Sequence, residues 1–336
     1  MKMKKAWGAH LARAAGAFAI VAGLMLTATA DATAKIRIAF PDVATVEYTH
    51  FLAALERARE KGVEIDITYF TKEELASQAV VNGDADVGVG SPFALIQKVD
   101  RPIRFFLQMS KLRFYVVVNT EFYNDWQDLD GQEIAVHARG SGTEAVMNMM
   151  AVAKGIQYSN ISYVPGSEVR SAAMLQGNLK ATVVDSINRD LLLNEAPGKF
   201  KVLPVDSQDA TNDALYASAE FLNANADEID ILVEAILTTW RDVAANPDVV
   251  EEFRNGYHIL PDLSEDVLAE MLPYYRDFTK EGALPLNGGD EAGARADLAF
   301  YSAAGAIEGD PASLDVNDFW DFGPVTRVVE KLGKAN

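Results

Sequence analysis

The chain contains no cysteine in 336 residues. That excludes a disulfide framework, thiolate catalysis and a cysteine-linked lipid anchor. Basic residues are also in deficit, 30 Lys and Arg against 49 Asp and Glu, for a formal charge of −19. A surface so acidic repels nucleic acid and anionic lipid, both of which need clustered Lys and Arg. Histidine is scarcer still, and His50, His137 and His258 lie far apart with no His-x-x-x-His pair. A metal site therefore has no local support, and neither metal nor cofactor is expected. There is no Gly-x-x-x-x-Gly-Lys phosphate loop, and Arg139 stands where the first glycine of a Gly-x-Ser-x-Gly nucleophile turn would precede Ser141. The residues do not read as an enzyme.

Long hydrophobic runs are missing too, apart from Ala17–Leu26, which is too short to span a membrane comfortably. Lys2, Lys4, Lys5 and Arg13 precede that stretch, and Ala28, Ala30, Ala32 and Ala34 follow it. This is the layout of an export signal over residues 1–34, cleaved near its end. Its removal would take four basic residues and only one acidic, Asp31, so the remainder is more acidic still. The expected product is a freely soluble, monomeric periplasmic protein with no direct membrane insertion.

About 300 remaining residues exceed the usual size of one core, so two lobes are expected. Apolar spacing predicts strands at Lys35–Phe40, Val63–Phe70, Ala85–Gly90, Ile103–Met109 and Phe114–Asn119, with helices at Val46–Lys61, Lys72–Asn82 and Phe93–Lys98. The rhythm restarts near Asp128, with strands Glu133–His137, Ile161–Val164, Ala181–Val184 and Lys201–Val205. Helices at 144–154, Glu168–Gln176 and Arg189–Asn194 alternate with them. Beyond about Asp227 the chain reads as nearly all helix. Such βαβα alternation predicts parallel sheets with helices on both faces, and ligands at the carboxyl ends of the strands.

One of those ends, Ala138-Arg139-Gly140-Ser141-Gly142-Thr143, joins a strand to a helix start. A small-residue turn there offers backbone N–H groups at the positive end of a helix, with Arg139 and the Ser141 and Thr143 hydroxyls as further donors. It predicts an anion site for a carboxylate or sulfonate; the plainer alternative is a tight turn in which Ser141 or Thr143 caps the helix.

The order of several segments carries a resemblance. They are the opening Lys-Ile-Arg-Ile-Ala-Phe strand after a signal, Val81-Asn82-Gly83-Asp84-Ala85-Asp86-Val87-Gly88, and Asp128-Leu129-Asp130-Gly131-Gln132-Glu133-Ile134-Ala135-Val136. Gln176-Gly177-Asn178-Leu179-Lys180-Ala181 and Leu314-Asp315-Val316-Asn317-Asp318-Phe319 complete the set. Together they resemble the periplasmic substrate-binding proteins of ABC importers, in the group of sulfonate, nitrate and thiamine-pyrimidine-precursor binders. The resemblance covers residues 35–332. It implies an α/β, two-lobed periplasmic-binding-protein type II fold, two doubly wound sheets joined by two hinge strands, with a helical C-terminal tail. Lobe one would be 35–117 plus 212–336, lobe two 118–211, and Phe114–Asn119 with Asp206–Ala217 the hinge strands. The partners it implies are a small-molecule solute and the membrane permease subunits of an ABC importer. Gly140-Ser141-Gly142-Thr143-Glu144 is also similar to the solute receptors of TAXI-type TRAP transporters. Their glycine-rich loop after the first strand is replaced here by Pro41-Asp42-Val43-Ala44-Thr45.

The candidate ligand-binding residues are Thr45, Glu47, Tyr48, Phe70, Ser91, Pro92, Arg139, Ser141, Gly142, Thr143, Asp185 and Ser186. Asp185 and Glu47 would meet an amino or hydroxyl group. Phe70, Phe93, Trp126 and Tyr216 are possible stacking walls. Lys111 and Arg113 flank the approach to the hinge, as basic ligands for an anion or, the plainer reading, as surface residues, and Tyr274 and Tyr275 are expected in packing.

Overall fold

The computed structural model describes residues 35–205 and 210–335. The expected export signal, residues 1–34, lies outside them. The first lobe is built from β1 (Lys35–Phe40), α1 (Thr49–Glu60), β2 (Glu64–Tyr69), α2 (Glu73–Asn82), β3 (Val87–Gly90), α3 (Phe93–Lys98) and β4 (Ile103–Lys111). The second contains β5 (Tyr115–Asn119), β6 (Glu133–Val136), α4 (Gly142–Lys154), β7 (Asn160–Tyr163), α5 (Ser167–Leu175), β8 (Ala181–Val184), α6 (Ser186–Glu195) and β9 (Phe200–Leu203). The chain returns to the first lobe as β10 (Thr211–Ser218), then α7 (Ala219–Ala224), α8 (Ala226–Ala245), α9 (Val249–Tyr257), α10 (Glu265–Lys280), α11 (Glu291–Ala303) and α12 (Gly323–Leu332).

The sheets run β2-β1-β3-β10-β4 and β7-β6-β8-β5-β9. Neither is the parallel sheet that the alternation predicts. β10 is antiparallel to β3 and β4, and β5 is antiparallel to β8 and β9. In each case the strand that crosses from the other lobe is inserted next to the edge strand. It arrives from the opposite end of the sheet, so it runs against its neighbours. The two changes of sheet therefore lie between the end of β4 at Lys111 and the start of β5 at Tyr115, and between the end of β9 at Leu203 and the start of β10 at Thr211, while most described residues of Phe114–Asn119 and Asp206–Ala217 are sheet strands.

Side-chain alternation fixes which face each strand buries. In β1, Ile36 and Ile38 point inward while Lys35 and Arg37 stay exposed. One core joins that face to α1 and α8 through Phe51, Leu55, Leu232, Ile236 and Trp240. A second core runs across both lobes, from Phe93, Phe105, Tyr216 and Tyr301 to Val116, Ile134 and Met147. Gly88 is required where β3 meets β10, since a Cβ there would lie 2.2 Å from the Tyr216 ring. Side-chain caps set two helix starts earlier than their apolar spacing suggests. Ser141 caps α4 by accepting the Glu144 N–H, and Asp185 caps α6 by accepting the Asn188 N–H. Among the described residues no helix is long and apolar enough to cross a membrane.

Candidate functional site

A cavity of about 680 Å³ opens between the lobes at the carboxyl ends of their strands, within the size range of small-molecule sites. The first lobe supplies the loop after β1, the start of α2, Ser91, and Asn212 and Asp213 of β10. The second supplies the 137–143 turn, Pro165–Arg170 and the Asp185-Ser186 corner. Tyr274 and Phe278 of α10 close one side, their rings stacked at 5.2 Å. They sit one helical turn apart, so they share a face.

The Glu47 loop is positioned from behind. The Tyr275 hydroxyl donates to the Glu47 carbonyl at 2.9 Å and accepts the His50 N–H at 3.0 Å. With its one proton so committed, the hydroxyl also accepts from His50 Nδ1 at 2.7 Å, which places the ring proton on Nδ1. His50 is buried 4.4 Å from Trp240, and burial lowers its pKa to about 3. This neutral wedge holds Glu47 and Tyr48 toward the cleft.

The turn at 138–143 is largely self-satisfied. Ser141 Oγ donates to the Ala138 carbonyl at 2.7 Å and lies 2.9 Å from Thr143 Oγ1. Thr143 Oγ1 accepts the His137 N–H, and the Glu144 carboxylate accepts the Gly140 N–H at 2.6 Å. Both hydroxyls expected to meet a ligand thus serve the turn, and a protein carboxylate already occupies part of its donor set. Arg139 is exposed, with its guanidinium 5.1 Å over the Tyr163 ring. Gly142 lies in the seam between the lobes. A Cβ there would come within 2.5 Å of Leu112 and 2.9 Å of Asn212, which flank the two crossings.

The dominant charge of the cleft is negative. Glu47, Glu73 and Asp213 line it from the first lobe, Glu168 and Asp185 from the second. Burial, then repulsion from Asp185, Glu168, Asp213 and Asp42, raises Glu47 to about 8. Burial and Asp213 raise Glu73 to about 8, although the Ser91 N–H opposes the shift. Burial raises Asp213 to about 6 against the Ser110 hydrogen bond. The buried cation of the wall, Arg170, is only 1% exposed, yet it donates to the Val183 and Val164 carbonyls and to Ser167 Oγ. Burial brings its pKa down to about 10 despite those acids. His137 Nδ1 accepts the Gly166 N–H, so the neutral ring carries its proton on Nε2, 3.9 Å from Asp42 of the other lobe. Among the described residues no group of three or more His, Asp or Glu side chains is placed to hold a metal ion.

Of the residues singled out in the sequence, Thr45, Glu47, Tyr48, Ser91, Arg139, Ser141, Gly142, Thr143, Asp185 and Ser186 all reach the cavity lining. Phe70 and Pro92 do not: Phe70 packs on the second core, and Pro92 begins α3 behind Ser91. Phe93, Trp126 and Tyr216 are core. Lys111, Arg113 and Tyr274, expected at the surface or in packing, line the cleft, whereas Tyr275 does pack. Glu73, Glu168, Arg170 and Asp213 were missed. Pro165-Gly166-Ser167 marked the place of two of them, but no local pattern marks Asp213.

The model of the family described as NMT1/THI5 like matches residues 47–250. The chain belongs to the NMT1/THI5-like family. Among solved structures, a protein from Bordetella bronchiseptica RB50 shares 22% identity, covering 90% of this chain and 98% of that one, with a TM-score of 0.68. The ligand-binding component of an ABC-type import system from Staphylococcus aureus shares 14% identity over 88% and 98%, at 0.62. The periplasmic nitrate-binding protein of Synechocystis PCC 6803 shares 11% over 89% and 89%, at 0.61. These likenesses establish the two-lobed periplasmic-binding-protein fold. No curated protein matches the sequence.

Proposed function

We propose that this NMT1/THI5-like protein is a periplasmic solute receptor that delivers a small organic molecule to the permease of an ABC importer and performs no catalysis. The observation that carries the proposal is the cavity of about 680 Å³ lined by strand ends of both lobes. A solute touching both walls stabilises the closed arrangement through contacts that the open one lacks. The fold neighbours named as ABC import and nitrate-binding components support this transport reading over a TRAP receptor. Among the described residues no serine or threonine hydroxyl of the cleft is hydrogen-bonded to a histidine ring: Ser141 is held by its own turn, the His50 ring meets the Tyr275 hydroxyl, and His137 Nδ1 takes the Gly166 N–H.

The 139–143 turn does not carry the expectation of an anionic solute into this proposal. Its hydroxyls are engaged, Glu144 sits on the Gly140 N–H, and the facing wall is acidic.

Equilibrium dialysis against a bacterial low-molecular-weight extract, followed by mass spectrometry of what is retained, tests the receptor reading. One solute per chain, recovered unaltered, is the expected result. No retained solute, or one converted chemically, contradicts it.

A further inference from the structure

We infer that the cleft is built for an organic cation, a protonated amine or quaternary nitrogen held by Glu47, Glu73 and Asp213 on one lobe and Glu168 and Asp185 on the other, against the rings of Tyr48 and Tyr274. The inference rests on the receptor reading and names the class of solute.

Three independent observations meet here. First, these five carboxylates line one cavity from two lobes, and the ion pairs seen among the described residues join other acids. Arg170, the buried cation within reach, turns its guanidinium to backbone carbonyls and Ser167 instead. Lys111 and Arg113 line the same cavity, with Arg113 donating to the Glu281 and Leu112 carbonyls, yet acids outnumber bases in the lining, and a cation from outside the chain would offset the cost of gathering them. Burial is the main cause that raises Glu47, Glu73 and Asp213, with repulsion from neighbouring acids added at Glu47 and Glu73.

Second, aromatic faces accompany the acids. Tyr48 stands edge-on to Phe40 at 4.7 Å, and Tyr274 is stacked with Phe278. Rings beside carboxylates suit an alkylammonium group, whose charge meets the oxygens and whose methylenes meet the rings. Third, Thr45 lines the same wall, and its buried hydroxyl has no hydrogen-bond partner within the chain. A side-chain rotation toward the cavity would let it accept an N–H from the solute.

A metal ion fits less well. The acids surround a space of about 680 Å³ and do not converge as a ligand set. An anion would enter a field that already destabilises the protein's own carboxylates.

The test separates a bacterial low-molecular-weight extract by ion exchange into cationic, anionic and neutral pools, and measures the melting temperature of the protein with each. Spermidine, choline and calcium chloride are run as single probes. The expected result is a rise with the cationic pool, abolished or weakened at least tenfold in Glu47→Gln/Asp213→Asn, which itself melts no lower than the parent without solute. Glu168→Gln, at an exposed position of the second lobe, provides an independent variant and should weaken the same response. A rise with the anionic or neutral pool alone, or with calcium alone, overturns the cation inference and leaves a receptor of another solute. No response to any pool overturns the receptor reading itself.

Discussion

A carboxylate oxygen of Glu73 accepts the backbone N–H of Ser91 at 3.3 Å, tying the start of α2 to the loop after β3 inside the cleft. This single contact is weaker than the burial and the Asp213 repulsion that oppose ionisation, so Glu73 is raised to about 8. The folded chain thus holds a proton on Glu73 that the unfolded chain, near its ordinary value of 4.5, releases. Stability from this group is full below pH 4.5 and is lost as pH rises toward 8, by up to about 1.4 kcal/mol per pH unit. Urea unfolding of the solute-free protein at pH 5 and pH 8 should show a smaller loss in Glu73→Gln than in the parent. An equal loss in both would count against a protonated Glu73.

Asp297 anchors the second crossing. It is 0% exposed and accepts the Thr211 N–H at 2.6 Å and the Thr211 hydroxyl at 2.8 Å, where β10 begins. Asp297→Ala leaves both donors buried without an acceptor and should cost about 3 kcal/mol. Because burial raises Asp297 from 3.8 to about 7, the parent loses stability as pH rises between those values, so the cost of Asp297→Asn, which keeps an acceptor and should cost less than Ala, is larger at pH 5 than at pH 8. Thermal unfolding at pH 5 and 8 checks both values.

Gly142 sits where the turn of one lobe meets both crossings. Gly142→Val forces its side chain against Leu112, Asn212 and Phe114. Overpacking of this kind costs about 2 kcal/mol. Solute affinity should fall as well, because the seam between the lobes is displaced. Unfolding midpoints and calorimetric titration together measure the two effects, and an affinity unchanged in a destabilised variant would detach this contact from closure.

Arg139 separates the two charge assignments. Its side chain is exposed and lies over Tyr163. Arg139→Ala should change the affinity for a cationic solute by less than about threefold. A loss of tenfold or more, measured by calorimetry, would restore the anion reading of that turn.

Much of the fold was legible because apolar period and turn residues agree locally. β1, α3 and β8 fall on their expected bounds, and strand ends rich in Gly, Pro and Ser do form the cleft. The antiparallel insertion of β5 and β10 was not legible, because pairing direction depends on where the chain re-enters a sheet and not on local spacing. For the same reason Asp213 looked like an ordinary polar residue. Its position opposite Glu47 and Glu73 arises only when β10 crosses back. Glu47 and Asp185 were found because helix starts at strand ends are visible in sequence. The Ser141 and Thr143 hydroxyls were found too, but whether a hydroxyl faces a ligand or its own turn is a rotamer question that spacing leaves open.

The most direct test of the acidic cleft is the proton count of solute binding, from calorimetry at pH 7 in buffers of different ionisation enthalpy. Glu47 and Glu73 are raised to about 8 and face Asp42, Glu74, Glu168, Asp185 and Asp213, with Arg170 as the buried cation nearby. An arriving cation lowers both values and drives their protons off. The account predicts release of roughly one proton per solute, reduced in Glu47→Gln. Proton uptake on binding would contradict it.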